Sequence, residues 1–235
     1  MDLFAPVFTP FFWTALLKII GVNIVLSGDN AVVIALAARG LPPHQQKKAI
    51  FWGSGAAIIL RIVLTIFAVK LLALPWLKII GALLLIWIGI KLLIPEDEDD
   101  GSVKSHGHLG AAIKTILIAD LVMSMDNVIA VAAAAKDDIL LLTLGLAISI
   151  PLIIFASTLL LKLMDRFPII ITIGAALLGF VAGEMLITDP VTKHWIEQNA
   201  TWMEYAMPAF GAMLVVGVGL MLAKRHQANR GINQS

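Results

Sequence analysis

The sequence predicts an all-α membrane protein of about seven transmembrane helices, arranged as an inverted 3+3 repeat plus one C-terminal helix. Three observations predict it. Of 235 residues, 60% are hydrophobic and only 14% charged, where a soluble domain carries about 25% charged and 45–50% apolar residues. Seven apolar stretches reach the roughly 20 residues that carry a helix across a bilayer. A polar motif, Ser-x-Asp-Asn, stands inside two of those stretches, at 27–30 and 124–127.

The stretches are, in order, Phe11–Ala38, Lys48–Leu71, Pro75–Ile94, Ala111–Ala135, Ile139–Met164, Pro168–Ile187 and Tyr205–Ala223. Hydrocarbon offers the backbone no hydrogen-bond partner, so each must satisfy its own N–H and C=O groups as a helix. Continuous apolarity without period-2 alternation argues against a barrel. Two segments are too polar for lipid. One is the acidic, His-containing Pro95–Gly110; the other is Asp189–Glu204, long enough for a short interfacial helix, with Trp195, Trp202 and Tyr205 suited to the boundary. The units are therefore 1–94 as the first three-helix repeat, 95–110 as a cytoplasmic loop and 111–187 as the second repeat. An extracytoplasmic loop, 188–204, and the seventh helix with its cytoplasmic tail, 205–235, follow. No basic residue precedes the first apolar run, which is too long for the apolar core of a signal peptide, so no secretory signal is expected.

Lysine and arginine set the orientation. One side carries Arg39, Lys47, Lys48, Lys91, Lys104, Lys114, Lys162, Arg166, Lys224, Arg225 and Arg230. The other carries Lys70, Lys78, Lys136 and Lys193. The first side is cytoplasmic by this rule, with the N-terminus outside and the C-terminus inside. The absence of cysteine excludes disulfides, thiolate zinc sites and iron–sulfur clusters. No basic run with interleaved aromatics suggests nucleic acid.

The repeat extends beyond the motif. NIVLSGDNAVVIALAAR (23–39) aligns without gaps on DLVMSMDNVIAVAAAAK (120–136), and GALLLIWIGIKLLI (81–94) on GAALLGFVAGEMLI (174–187). Three spans per unit is odd, so the second unit enters from the opposite side, and a site is expected between the units near the midplane. Restricted apolar composition accounts for the resemblance of the third and sixth spans, but not easily for Asp-Asn twice.

Asp29 and Asp126 lie on opposite sides of their span centres, each by about four residues, or roughly 6 Å. A two-fold axis in the membrane plane brings them together. Each carboxylate near the bilayer centre costs at least about 2.5–3.5 kcal/mol, and a divalent cation between them offsets this directly. Amides and hydroxyls complete an oxygen shell. Asn23, Ser27 and Asn30 share one helical stripe, and Asp120, Ser124 and Asn127 repeat it; a local break near Gly28 would turn the Asp residues toward it. Oxygen donors without thiolate suit Mg²⁺, Ca²⁺ or Mn²⁺. A thioether ligand from Met125 would favour Mn²⁺; packing is the competing role for it. Arg61, near the centre of the second span, needs an intramembrane carboxylate, with Asp29 the first choice, either as a gating counter-ion or as a static pair. Glu184 is a second-tier ligand or a side chain snorkelling to the interface. His106 and His108, behind the acidic run 96–100, gather cations or belong to a solvated linker.

SGDN at 27–30, SMDN at 124–127 and GALLLIWIGIKLL at 81–93 resemble the TerC family of integral membrane proteins, in its YjbE-like branch, over nearly the whole chain. The family is similar in plan to the lysine-exporter superfamily of inverted three-helix repeats. The resemblance implies Mn²⁺ efflux across the bacterial cytoplasmic membrane, or Mn²⁺ supply to metalloenzymes maturing outside it, with Asp29, Asn30, Asp126 and Asn127 as the site. Asn23 standing opposite Asp120 departs from strict symmetry and leaves open whether the site holds two carboxylates or three.

The sequence thus leads to a non-enzymatic Mn²⁺ exporter, its two halves rocking about a fixed site, with Ca²⁺ and Mg²⁺ as lesser candidates. Two other classes compete. One is a membrane partner that delivers metal to, or scaffolds, exported enzymes or secretion components. The other is an intramembrane aspartyl protease, which needs two carboxylates sharing a proton but leaves the two Asn residues unexplained.

Overall fold

The computed structural model describes residues 12–14, 16–18, 20–21, 28–72, 74–94, 105–135 and 139–233. Side chains are described at all of these except 65–72, 105–107, 125–135, 139–143, 146 and 229–233. The named helices are α1 (Gly28–Arg39), α2 (Pro43–Leu72), α3 (Leu77–Leu93), α4 (Ser105–Ala135), α5 (Ile139–Arg166), α6 (Ile169–Thr188), α7 (Pro190–Asn199) and α8 (Met203–Asn233). Residues 12–14, 16–18 and 20–21 are helical as well, and no described residue lies in a strand.

Among the described residues, three helical stretches are long and apolar enough to cross a membrane: Ala147–Arg166, Ile169–Thr188 and Met203–Ala228. Most of their apolar windows faces outward, since only 28%, 39% and 28% of each is buried. Phe155, Ile173, Phe180, Phe210 and Met213 all lie on the outside. Such a surface is too apolar for water and suits lipid. The polar connection before α4 is shorter than the sequence suggests, because residues 105–110 are already helical. The expected short helix in the last loop is α7.

The helices do not pack in sequence order. α2 lies along α4, and α1 along α5; α2 also meets α5, and α1 meets α4. α3 lies along α6, and α8 covers both. Contacts of α1 with α6 and of α3 with α4 are thinner. One apolar cluster runs through most of the bundle, while a second, around Leu93, Ala175 and Val215, belongs to α3, α6 and α8 alone.

Glycine permits the closest approach, between α6 and α8. A Cβ on Gly179 would collide with the backbone of Gly211 and Ala212, and one on Gly183 with the backbone of Met207 and Pro208. Small residues bring helix backbones into van der Waals contact where no hydrophobic force between helices exists in lipid.

One buried carboxylate fixes the end of this group just beyond Gly183. Asp189, with no exposed surface, follows α6 and caps α7, accepting from Val191 N at 2.9 Å. The same side chain accepts from Trp76 N (3.2 Å), Lys78 N (3.1 Å) and Ile79 N (3.4 Å) at the start of α3. These amides have no intrahelical partner, and the helix dipoles favour an anion there. The clamp holds Trp76 in the left-handed region, φ 71°, a conformation costly for a bulky residue.

Candidate site in the membrane interior

α1, α2 and α4 meet around a group of polar side chains. Arg61 on α2 is 1% exposed. Its Nη2 donates to Asp120 Oδ1 at 2.6 Å and its Nε to Ser124 Oγ at 3.0 Å. Ser124 Oγ in turn donates to Asp120 Oδ2 at 3.2 Å. Asp120 and Ser124 are four residues apart, so one turn of α4 presents both oxygens to the guanidinium fork, as the predicted stripe requires. Within the triad Arg61 compensates the charge of Asp120, and Ser124 both accepts and donates.

The expectation that Arg61 pairs first with Asp29 is corrected here. α2 lies along α4 and touches α1 only lightly, so the long side chain reaches the carboxylate on the adjacent helix. Asp29 is in the first turn of α1, where the positive end of the helix dipole favours a carboxylate. Its Oδ1 accepts from Asn30 N at 2.7 Å. The half-buried Asp29 stands on α1 beside α4 without being the salt-bridge partner. Asn30, the next motif residue, is 2% exposed and faces inward.

The structure therefore joins Arg61, Asp120 and Ser124, with Asp29 and Asn30 on α1, which packs against α4. Asn23 and Ser27 lie outside the described residues, as do the side chains of Met125, Asp126, Asn127 and His106. Among the described residues, no three His, Asp or Glu side chains converge as a metal cluster. Glu184 is exposed on α6 and His108 exposed near the start of α4, and neither joins the interior group. His108 instead lines a shallow cleft with Arg39, Leu36, Lys91, Ala112 and Thr115, among others. Lys91 there stands over the Trp87 ring, 5.5 Å from its centroid.

Sequence reasoning missed Asp189, although Asp-Pro before a helix is the pattern of an N-cap followed by proline at the first helical position. It also passed over Ser54 on α2 and Ser157 on α5, buried hydroxyls without a hydrogen-bond partner. Nothing in their spacing distinguishes them from the back-bonded Ser149, which donates to Gly145 O.

Residues 8–227 match the family model described as "Integral membrane protein TerC family". The chain belongs to the TerC family. Among relatives in this family, the "Uncharacterized membrane protein YjbE" of Bacillus subtilis (strain 168) is 41% identical over 202 residues, covering 86% of this chain and 92% of the relative. The same organism's YceF, also described as an uncharacterized membrane protein, is 29% identical over 216 residues, covering 88% of this chain and 82% of that one. The "UPF0053 inner membrane protein YoaE" of Escherichia coli (strain K12) is 25% identical over 236 residues, covering 92% of this chain but 44% of its own. No solved structure matches the chain. TerC membership makes the protein an integral membrane protein, in agreement with its lipid-facing helices.

Proposed function

We propose that this protein is a divalent metal ion transporter of the bacterial cytoplasmic membrane, and that its cargo is Mn²⁺ carried outward by alternating access. The observation that carries the reading is the polar interior. Arg61, Asp120 and Ser124 are joined between α2 and α4, and α1, packed against α4, carries the half-buried Asp29 and the buried Asn30, in a bundle whose outside is apolar. Ionisable groups are retained inside a membrane bundle where they serve a pathway or its charge balance.

The inverted repeat is supported by packing. Exchanging the first span with the fourth, the second with the fifth and the third with the sixth turns α2–α4 into α5–α1 and α3–α4 into α6–α1. It leaves the α1–α4, α2–α5 and α3–α6 contacts in place, and all of these are observed. The exchange also lays Asp29 on Asp126.

The charge count supports a divalent cargo. Asp120 is compensated by Arg61, which leaves Asp29 and its repeat partner Asp126 to supply two negative charges. Asn30 and Asn127 add neutral oxygen donors, and oxygen donors suit Mn²⁺, Mg²⁺ or Ca²⁺. The same count removes Asp120 from the ligands that carry free charge, and makes Arg61 a fixed counter-ion.

The test is flux of radioactive Mn²⁺ in proteoliposomes holding the purified protein alone. Wild-type protein is expected to move Mn²⁺ well above empty vesicles, with Ca²⁺ and Mg²⁺ competing weakly. The Asp29→Ala/Asp126→Ala variant is expected to fall to the empty-vesicle rate. Equal rates for wild type and the double variant reject the site.

A further inference from the structure

Given the transport reading above, the packing identifies which parts move. We infer that access alternates along a seam between a four-helix unit, α1, α2, α4 and α5, and a frame of α3, α6 and α8, rather than between the two sequence halves.

Each side of the seam is locked internally. Within the unit, the Arg61–Asp120–Ser124 triad ties α2 to α4, so it joins the first half of the sequence to the second. Rocking the halves apart would separate Arg61 from Asp120 and leave each a buried charge without the other. Within the frame, α6 and α8 touch backbone to backbone at Gly179–Gly211 and at Gly183–Met207. α3 joins them through Gly89 against Val215 and Leu178, and through Leu93 against Gly219. The frame has its own apolar cluster, and Asp189 pins the start of α3 to the junction of α6 and α7.

The seam is thinner: α3 meets α4, and α1 meets α6, less extensively than α2 meets α4 or α6 meets α8, although the main apolar cluster bridges it. Its closest approaches put side-chain tips on glycine, and none is backbone on backbone. A methyl group on Gly81 of α3 would stand 2.8 Å from Val122 Cγ1 of α4, and as close to Met185 Cε of α6 inside the frame. One on Gly174 of α6 would stand 2.7 Å from Val32 Cγ1 and 3.0 Å from Leu36 Cδ1 of α1. Gly81 and Gly174 hold the same place in the repeated stretches 81–94 and 174–187, so the unit meets the frame at two equivalent smooth seats. Apolar tips on glycine slide without breaking a hydrogen bond, whereas interlocked backbone does not.

The cleft lies on this seam, with Leu36 and Arg39 of α1 and Thr115 of α4 facing Trp87 and Lys91 of α3. Lys91 and Glu184 are equivalent in the repeat. The two-fold relation therefore places the counterpart of this mouth at the Glu184 end.

The chain contains no cysteine, so nitroxide pairs on introduced cysteines report cleanly by double electron–electron resonance in lipid nanodiscs. Exposed positions carry the labels. Ile59→Cys/Leu83→Cys lies within one sequence half but crosses the seam. Ile59→Cys/Phe155→Cys crosses the halves but stays within the unit. Leu83→Cys/Phe210→Cys stays within the frame. The first pair is expected to show two distances whose weights change between metal-free and Mn²⁺-loaded protein, and the other two a single unchanged distance. A single distance for the first pair under every condition, or two distances for the second, overturns the inference. Two distances in the first pair without any response to Mn²⁺ uphold the seam and count against the proposed cargo instead.

Discussion

Breaking the Arg61–Asp120 pair from one side is expected to be far more damaging than removing both partners. Asp120→Asn leaves Arg61 charged, 1% exposed and facing an amide in place of its carboxylate. Removing one partner of a buried ion pair costs about 3–5 kcal/mol, because the remaining charge stays desolvated. At about 1.4 kcal/mol per decade, this lowers the folding equilibrium by roughly 10²–10⁴-fold. Arg61→Met is expected to fall in the same range, with Asp120 now the stranded charge. In Arg61→Met/Asp120→Leu neither member of the pair is left without the other, and Ser124 turns its hydroxyl to the carbonyl four residues back. Replacement of a buried pair by apolar side chains is typically neutral or stabilising, so the double variant is expected within about 1 kcal/mol of wild type. The coupling energy then exceeds about 2 kcal/mol, well above the scatter of independent sites. Equilibrium unfolding in mixed micelles of mild detergent and dodecyl sulfate measures it, with the six tryptophans as the probe. A loss below about 1 kcal/mol in both single variants, or a double variant as damaged as their sum, would refute the triad.

Other outcomes follow from the same geometry. Asp189→Ala removes the acceptor for backbone amides at the starts of two helices and is expected to cost about 2–3 kcal/mol, at roughly 1 kcal/mol per cap, in the same unfolding measurement. Gly179→Ala drives a Cβ into the Gly211 backbone and is expected to lose about 1–3 kcal/mol by overpacking, whereas Gly55→Ala meets nothing within 4 Å and is expected to gain about 0.5–1 kcal/mol from helix propensity. In the flux assay, Glu184→Gln is expected to retain Mn²⁺ transport within about two-fold, since the side chain is exposed and outside the interior group; complete loss would make it a ligand.

The helices were legible because lipid leaves the backbone no alternative, so long apolar runs suffice to locate them. Asp120 and Ser124 were legible as a stripe because their spacing is one helical turn. The partner of Arg61 was not. A repeat states which residues are equivalent, but not which helix faces touch, and only the lie of α2 along α4 decides for Asp120. The seam was hidden for the same reason: sequence order suggests two halves, while the packing interleaves them. Asp189 was overlooked in a segment read as a polar loop, although its work is done on amides at the start of α3, 113 to 110 residues earlier in the chain.

That separation has a consequence for how the protein is made. A ribosome delivering this chain into the membrane finishes the third span long before Asp189 emerges. Until then, the amides of Trp76, Lys78 and Ile79 have only water or headgroups to bond. The first three spans can enter the bilayer early, but the turn that introduces the third acquires its final shape only when the sixth is complete. The start of the third span is therefore completed late, from the second half back onto the first, and a chain ending before Asp189 lacks the acceptor for these amides.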